Sequence, residues 1–167
     1  MLNTSYAATN PISTMGSVIS QHHLQRIDAI VKRSFKTAVL LAGGEPMTGV
    51  SELDGFDFSK GSFYPPTVIV DVGIEDEIWQ EEVFGPVVVV KRFKVRLVYA
   101  SFCEGLVAHE PPQKESEGVS LANASKYGLG AGIWTSDLSR AHRVAAAIDS
   151  GLCWVNTYHR NDPSSPW

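Results

Sequence analysis

Glu81 and Glu82 stand side by side in the stretch Trp79-Gln80-Glu81-Glu82-Val83-Phe84-Gly85-Pro86, which runs directly into Val87, Val88, Val89 and Val90. The valines are β-branched and continuous, a pattern that suits a strand buried on both faces. Gly85-Pro86 ends whatever precedes them, because proline biases the residue before it away from the helical region. The carboxylates and the Phe84 ring are therefore expected on a loop at the edge of a sheet, where ligands are commonly handled. Residue type alone also allows a plain solvated acidic turn there. Other chemistry-bearing residues are sparse. Cys103 and Cys153 lie in no metal-type spacing, and His22, His23 and His159 have no carboxylate or cysteine partner at a useful interval, so the histidines read as surface residues. Gly128-Leu129-Gly130-Ala131-Gly132 looks like part of a dinucleotide fingerprint, but that fingerprint needs a strand before it and a helix after it. Here a helix is expected before and a strand after, so these glycines read as a tight helix-to-strand turn.

The elements that must position this loop can be read from periodicity. Ser20 is placed to cap a helix whose stripe is Leu24, Ile27, Ile30 and Val31, with Lys32 and Arg33 near its end, where cations suit the helix dipole. Val39-Leu40-Leu41 reads as a short strand ended by Gly43-Gly44, and residues 45–66, rich in Gly, Pro, Ser and Asp, read as a long surface loop. Residues 67–72 predict a strand, 75–80 a short helix and 87–93 the next strand. Residues 117–125 predict a helix with Val119, Leu121 and Ala122 facing inward, and 131–135 predict a strand. Ser136 or Asp137 should cap a helix carrying Leu138, Ala141, Val144, Ala145 and Ile148, with Gly151 as its C-cap glycine. A final strand is expected over 152–156. Strands alternating with helices at short spacing predict an α/β fold with a mostly parallel sheet and flanking helices.

Composition narrows the function class. The chain has 167 residues, is 44% hydrophobic and 19% charged, and carries a net charge of −4. This is a globular composition without the basic patch that nucleic-acid binding requires. Two isolated cysteines fit a reducing, cytoplasmic setting better than a disulfide scaffold. The sequence has no apolar run near the ~20 residues of a membrane span. Residues 1–14 contain no Lys or Arg and read as a disordered N-terminal arm, leaving 15–167 as the folded unit.

Taken together, several motifs resemble the aldehyde dehydrogenase superfamily, in its order and in the C-terminal part of its catalytic domain. They are Met15-Gly16-Ser17-Val18-Ile19-Ser20, Pro65-Pro66-Thr67-Val68-Ile69, Glu81 to Val87, Leu121-Ala122-Asn123-Ala124-Ser125-Lys126-Tyr127-Gly128-Leu129, Ser150-Gly151 with Trp154-Val155-Asn156, and Ser165-Pro166-Trp167. The resemblance implies NAD(P)-dependent oxidation of an aldehyde to a carboxylic acid through a cysteine thioester. It implies that Glu82 accepts hydrogen bonds from the nicotinamide ribose, that Phe84 packs against the nicotinamide ring, and that Trp167 lines the aldehyde pocket. Asn156 is expected to be structural, ordering the loop after it.

The resemblance also implies parts that the sequence does not supply: a Rossmann-type NAD(P) domain, a Glu-Leu-Gly-Gly-Lys motif and a cysteine in a Gly-Gln-x-Cys context. Neither Cys103 nor Cys153 has that context. No catalytic residue and no metal site is therefore assigned, and enzyme status stays open. The chain is expected to be a truncated family member, inactive alone, that does not hold NAD or NADP by itself. Its family partners would be a small-molecule aldehyde and sister subunits, although the C-terminal assembly segment is not found here. The alternative is a non-catalytic pseudoenzyme that docks on a full-length relative.

Residues 95–113 interrupt the family pattern between Lys94 and Lys114, and they are expected to form an exposed excursion outside the main sheet. Two origins fit. One is a genuine insertion. The other is a retained intron, since Val95-Arg96 can be encoded as GTAAGA, a good donor sequence, and Gln113 as CAG, a good acceptor end.

Overall fold

The computed structural model describes residues 11–52, 54–93, 97–100, 106–107, 112–161 and 164. Helix α1 spans Gln21–Ser34, and Ser20 caps it as expected, its hydroxyl accepting from the His23 amide at 3.1 Å. Leu24, Ile27, Ile30 and Val31 are buried on one stripe. Strand β1 (Val39–Ala42), strand β2 (Thr67–Val70), helix α2 (Glu77–Gln80) and strand β3 (Val87–Arg92) follow. Next come strands β4 (Leu97–Ala100) and β5 (Leu106–Val107), helix α3 (Pro112–Ala122), strand β6 (Gly130–Trp134), helix α4 (Leu138–Ala145) and strand β7 (Leu152–Val155).

The α/β character holds, but the sheets are small and mixed rather than mostly parallel. One sheet runs β1-β2-β3-β4, with β1 antiparallel to β2, β2 parallel to β3 and β3 antiparallel to β4; the other, β5-β6-β7, is wholly parallel. Connection length and content explain the difference. A parallel neighbour needs a crossover of about a dozen residues or more. The stretch 71–86, with α2, supplies one between β2 and β3, and 135–151, with α4, supplies one between β6 and β7. Only residues 93–96 separate β3 from β4, so that pair must be antiparallel. Among its described residues the 43–66 connection carries no crossover α-helix, and β2 returns against β1.

The expected excursion at 95–113 is corrected on the same grounds. Its residues 97–100 pair with β3 in the four-stranded sheet, and residues 106–107 pair with β6. Helix α3 begins at Pro112, within that segment and earlier than expected.

Two apolar clusters hold the layers together. Leu24, Ile27, Ile30 and Val31 of α1 meet Ile69, Val89, Ile78 and Trp79, while Phe93, Ile133 and Val144 form a second cluster with Val119, Ala122 and Ile148. Leu121 packs against both. The 45–66 segment is not simply a surface loop. Phe58, Phe63 and Tyr64 are buried, and the Phe56, Phe58 and Phe63 rings meet edge to face at 5.4–6.0 Å. The aromatics make a local core that polar, glycine-rich composition hides. Burial also pushes the Tyr64 phenol well above its ordinary value.

Asp137 caps α4, its side chain accepting from the Arg140 amide. Gly151 is not the C-cap of that helix. Ala146 takes that position in a right-handed conformation, and the Gly151 amide donates to the Gly128 carbonyl at 2.8 Å as β7 begins. Gly128 is required for close approach, since a Cβ there would lie 2.6 Å from the Asp149 carbonyl oxygen. Helix, glycine turn and strand follow in the order that rules out the dinucleotide fingerprint.

Candidate functional site: the Glu81–Pro86 turn

The turn is built where α2 ends and β3 begins. Trp79 and Ile78 anchor α2 in the core, and the Glu81 amide closes the helix on the Glu77 carbonyl at 2.8 Å. At the other end the Thr67 amide donates to the Pro86 carbonyl at 2.8 Å, starting the β2–β3 ladder. Between these points the backbone leaves extended geometry, and Phe84 sits at φ 57. A left-handed conformation costs a residue with a Cβ roughly 1–2 kcal/mol, so something must hold it there.

Helix α1 supplies that hold. Arg26 donates from Nη1 to the Val83 carbonyl at 2.9 Å and from Nη2 to the Glu82 carbonyl at 3.1 Å. His23 Nε2 donates to the Phe84 carbonyl at 2.6 Å, and its ring meets the Phe84 ring edge-on, with centroids 5.8 Å apart. Gly85 rests on Ile27, where a Cβ would come within 2.6 Å of Cδ1. Arg33 fastens α1 to α2 through a two-pronged bond to Glu77 at 2.7 and 2.9 Å. Sequence reasoning missed Arg26 and treated His23 as a bare surface residue. The helical spacing of residues 23, 26 and 27 was visible, but their partners lie far along the chain.

The two carboxylates have different surroundings. Glu81 accepts from Lys126 Nζ at 2.6 Å and from the Tyr127 hydroxyl at 3.3 Å. The Lys126 ammonium holds the Glu81 carboxyl below the usual range, with help from Tyr127, and Glu81 in turn raises Lys126. Glu82 is tied down only through its backbone: its amide donates to the Tyr127 hydroxyl at 3.4 Å and its carbonyl accepts from Arg26. Among the described residues, no side chain bonds to the Glu82 carboxylate. The Phe84 ring is 69% exposed despite its size. The turn thus presents one uncommitted carboxylate and one open aromatic face on a backbone fixed from both sides.

The remaining candidates do not converge on it. Cys153 packs beside the second cluster, and burial pushes its thiol up, the opposite of what a nucleophile needs. Cys103 and Trp167 lie outside the described residues. Asn156, at φ 54, bonds both the amide and the carbonyl of Thr135 at 2.9 Å, tying the end of β7 to the end of β6. Among the described residues, no group of three or more His, Cys, Asp or Glu could hold a metal, and no helix is long and apolar enough to cross a membrane.

Known proteins carry a similar segment. A model of the "Aldehyde dehydrogenase family" matches residues 4–98 and 106–167. The match begins inside the expected terminal arm, and its gap lies inside 95–113 and is narrower than that segment. Aminoaldehyde dehydrogenase 2 of Zea mays is 34% identical over 155 residues, covering 92% of this chain and 25% of the relative. The NADP/NAD-dependent aldehyde dehydrogenase PuuC of Escherichia coli is 32% identical over 158 residues, with coverages of 95% and 26%. Among solved structures, HpcC from Thermus thermophilus superposes with a TM-score of 0.77 at 34% identity, covering 94% of this chain and 26% of that one. Betaine aldehyde dehydrogenase from Staphylococcus aureus in complex with NAD+ gives 0.72 at 31% identity, with coverages of 95% and 26%. The chain spans about a quarter of the length of these relatives, and over that quarter, in sequence and in fold, it belongs to the aldehyde dehydrogenase family.

Proposed function

We propose that this chain carries part of the catalytic unit of an NAD(P)-dependent aldehyde dehydrogenase, which oxidises an aldehyde to a carboxylic acid. Glu82 and Phe84 form the nicotinamide-ribose end of its cofactor site. The observation that carries the reading is the asymmetry of the carboxylate pair. Lys126 and Tyr127 occupy Glu81, while Glu82 keeps an unbonded carboxylate next to an exposed ring.

The donor set fits the group. A ribose diol offers two hydroxyl donors, and an ionised carboxylate offers two acceptor oxygens for charge-assisted bonds. An open phenyl face suits a flat heteroaromatic ring. When bound, the nicotinamide would take up hydride from the substrate; the role of this chain is to hold the ribose and ring in place. Trp167 is assigned to the aldehyde pocket. Cys153, with its raised thiol, is not the nucleophile, and the chain alone does not oxidise aldehydes. NAD(P)H formation by the isolated chain that Cys153→Ala abolished would overturn that part.

The test of the site uses an enzyme completed with the remaining family segments. Charge-assisted hydrogen bonds contribute roughly 1.5–3 kcal/mol each, and a tenfold rate change corresponds to ~1.4 kcal/mol. Glu82→Gln should lower turnover about tenfold or more, with the fold intact, and Glu81→Gln should do much less. Equal small losses at both positions would reduce the pair to a solvated turn.

A second reading, a pseudoenzyme that docks on a full-length relative, is favoured by the open edge of β1. There Val39 and Leu41 are 52% and 64% exposed. Co-migration of the chain with such a relative on size exclusion, lost on Leu41→Lys, would support it; separate migration would refute it.

A further inference from the structure

We propose that His23 and Arg26 are positioning residues for the nicotinamide-ribose turn, using α1 as a template that sets the conformation of Glu82 and Phe84; this rests on the cofactor reading given above. In an extended strand, successive carbonyls point to alternate sides of the chain. Here the carbonyls of Glu82, Val83 and Phe84, three in a row, are gathered onto the α1 side by two side chains one helical turn apart. The backbone can offer three consecutive acceptors to one helix only by leaving extended geometry, and Phe84 does so at φ 57.

Ile27, on the same helix stripe, sets the depth of the turn through its contact with the Cβ-less Gly85. The planar guanidinium fork of Arg26 spans two carbonyls at 2.9 and 3.1 Å in one fixed geometry, which the flexible lysine ammonium does not pre-organise. With its backbone spent on α1, the turn leaves the Phe84 ring open to solvent and the Glu82 carboxylate uncommitted. Lys126 and Tyr127, which follow α3, engage Glu81 separately. The choice of Glu82 over Glu81 as the ribose acceptor is thus set by residues outside the pair: His23 and Arg26 on α1, and Lys126 and Tyr127 after α3.

The test uses the full chain, isotope-labelled, without cofactor. Two readouts are taken: the left-handed signature of Phe84, seen as a strong intraresidue amide–Hα contact, and amide exchange across 82–87. In Arg26→Gln and in His23→Ala the signature should fade and turn exchange should rise about tenfold or more, with amides of α1 still protected, which shows that the fold persists. Arg26→Lys should fall between wild type and Arg26→Gln, and His22→Ala, next to the template but unbonded to the turn, should match wild type. An unchanged Phe84 signature in both Arg26→Gln and His23→Ala would overturn the proposal. Glu82→Gln separates the two ideas: it should keep the signature. If it lost the signature, Glu82 would be a structural residue and the ribose reading would fall, while the α1 template would still be judged on its own variants.

Discussion

Replacing Glu115 by alanine removes the carboxylate that two arginines of α4 share. Glu115 Oε1 accepts from Arg143 Nε at 2.6 Å, its Oε2 accepts from Arg143 Nη2 at 2.8 Å, and Arg140 Nε lies 3.4 Å from Oε2. The side chains differ in exposure: Glu115 9%, Arg140 11% and Arg143 50%. The Arg143 arm is half in water and contributes only what an exposed pair does, below ~1 kcal/mol. The Arg140 arm is the costly one. Removing one partner of a buried pair costs about 3–5 kcal/mol where the other charge is left wholly uncompensated, and Arg140 has further interactions besides Glu115. The 3.4 Å separation and those further interactions argue for less, so Glu115→Ala should destabilise the chain by about 2 kcal/mol, or ~30-fold in the folding equilibrium. Urea unfolding followed by tryptophan fluorescence measures this directly. Arg143→Ala should cost less than half as much.

The same triad fixes a pH dependence. Hydrogen bonding to Arg143, the leading cause, and then the charges of both arginines hold the Glu115 carboxyl below its ordinary value of 4.5. A depressed folded value means that the contribution is fully present above the unfolded value and is lost as pH falls from there through the folded value. Wild type should therefore weaken below about pH 4.5, and Glu115→Ala should lose part of that slope. A loss below ~1 kcal/mol on Glu115→Ala, with the acid slope unchanged, would refute the reasoning and make the triad an ordinary surface pair.

Gly85→Ala places a methyl 2.6 Å from Cδ1 of Ile27, a side chain with no exposed area. It should destabilise by about 1–3 kcal/mol in the same unfolding assay; a neutral result would show that the turn can lift off α1. Deleting residues 95–113 uncovers the edge of β3, whose Val89–Arg92 stretch would then present unpaired backbone groups to other copies. Sedimentation should show the deletion variant self-associating, whereas a monomer of unchanged stability would restore the picture of an excursion. Transcripts lacking those codons would support the retained-intron origin.

What could be read from sequence was local. Ser20 with its apolar stripe located the start of α1, and the Ser136–Asp137 pair located the start of α4, because caps and helical period depend on residues within a few positions. The valine run located β3 for the same reason. Sheet sense was misread because it depends on how long each connection is and what lies in it. Composition could not reveal that β4 follows β3 after four residues, or that three phenylalanines give the 45–66 loop a core of its own.

The candidate turn shows the limit most sharply. Glu81 and Glu82 are identical and adjacent, so residue type alone cannot say which is available to a ligand, and in the sequence only the family resemblance points to Glu82. The difference arises from Lys126, reached across 45 positions, and from Arg26, reached across 56. Lys126 takes up one carboxylate, and Arg26 takes up the carbonyls. The single acceptor left over is a product of the tertiary fold, although each residue that makes it so is written in the chain.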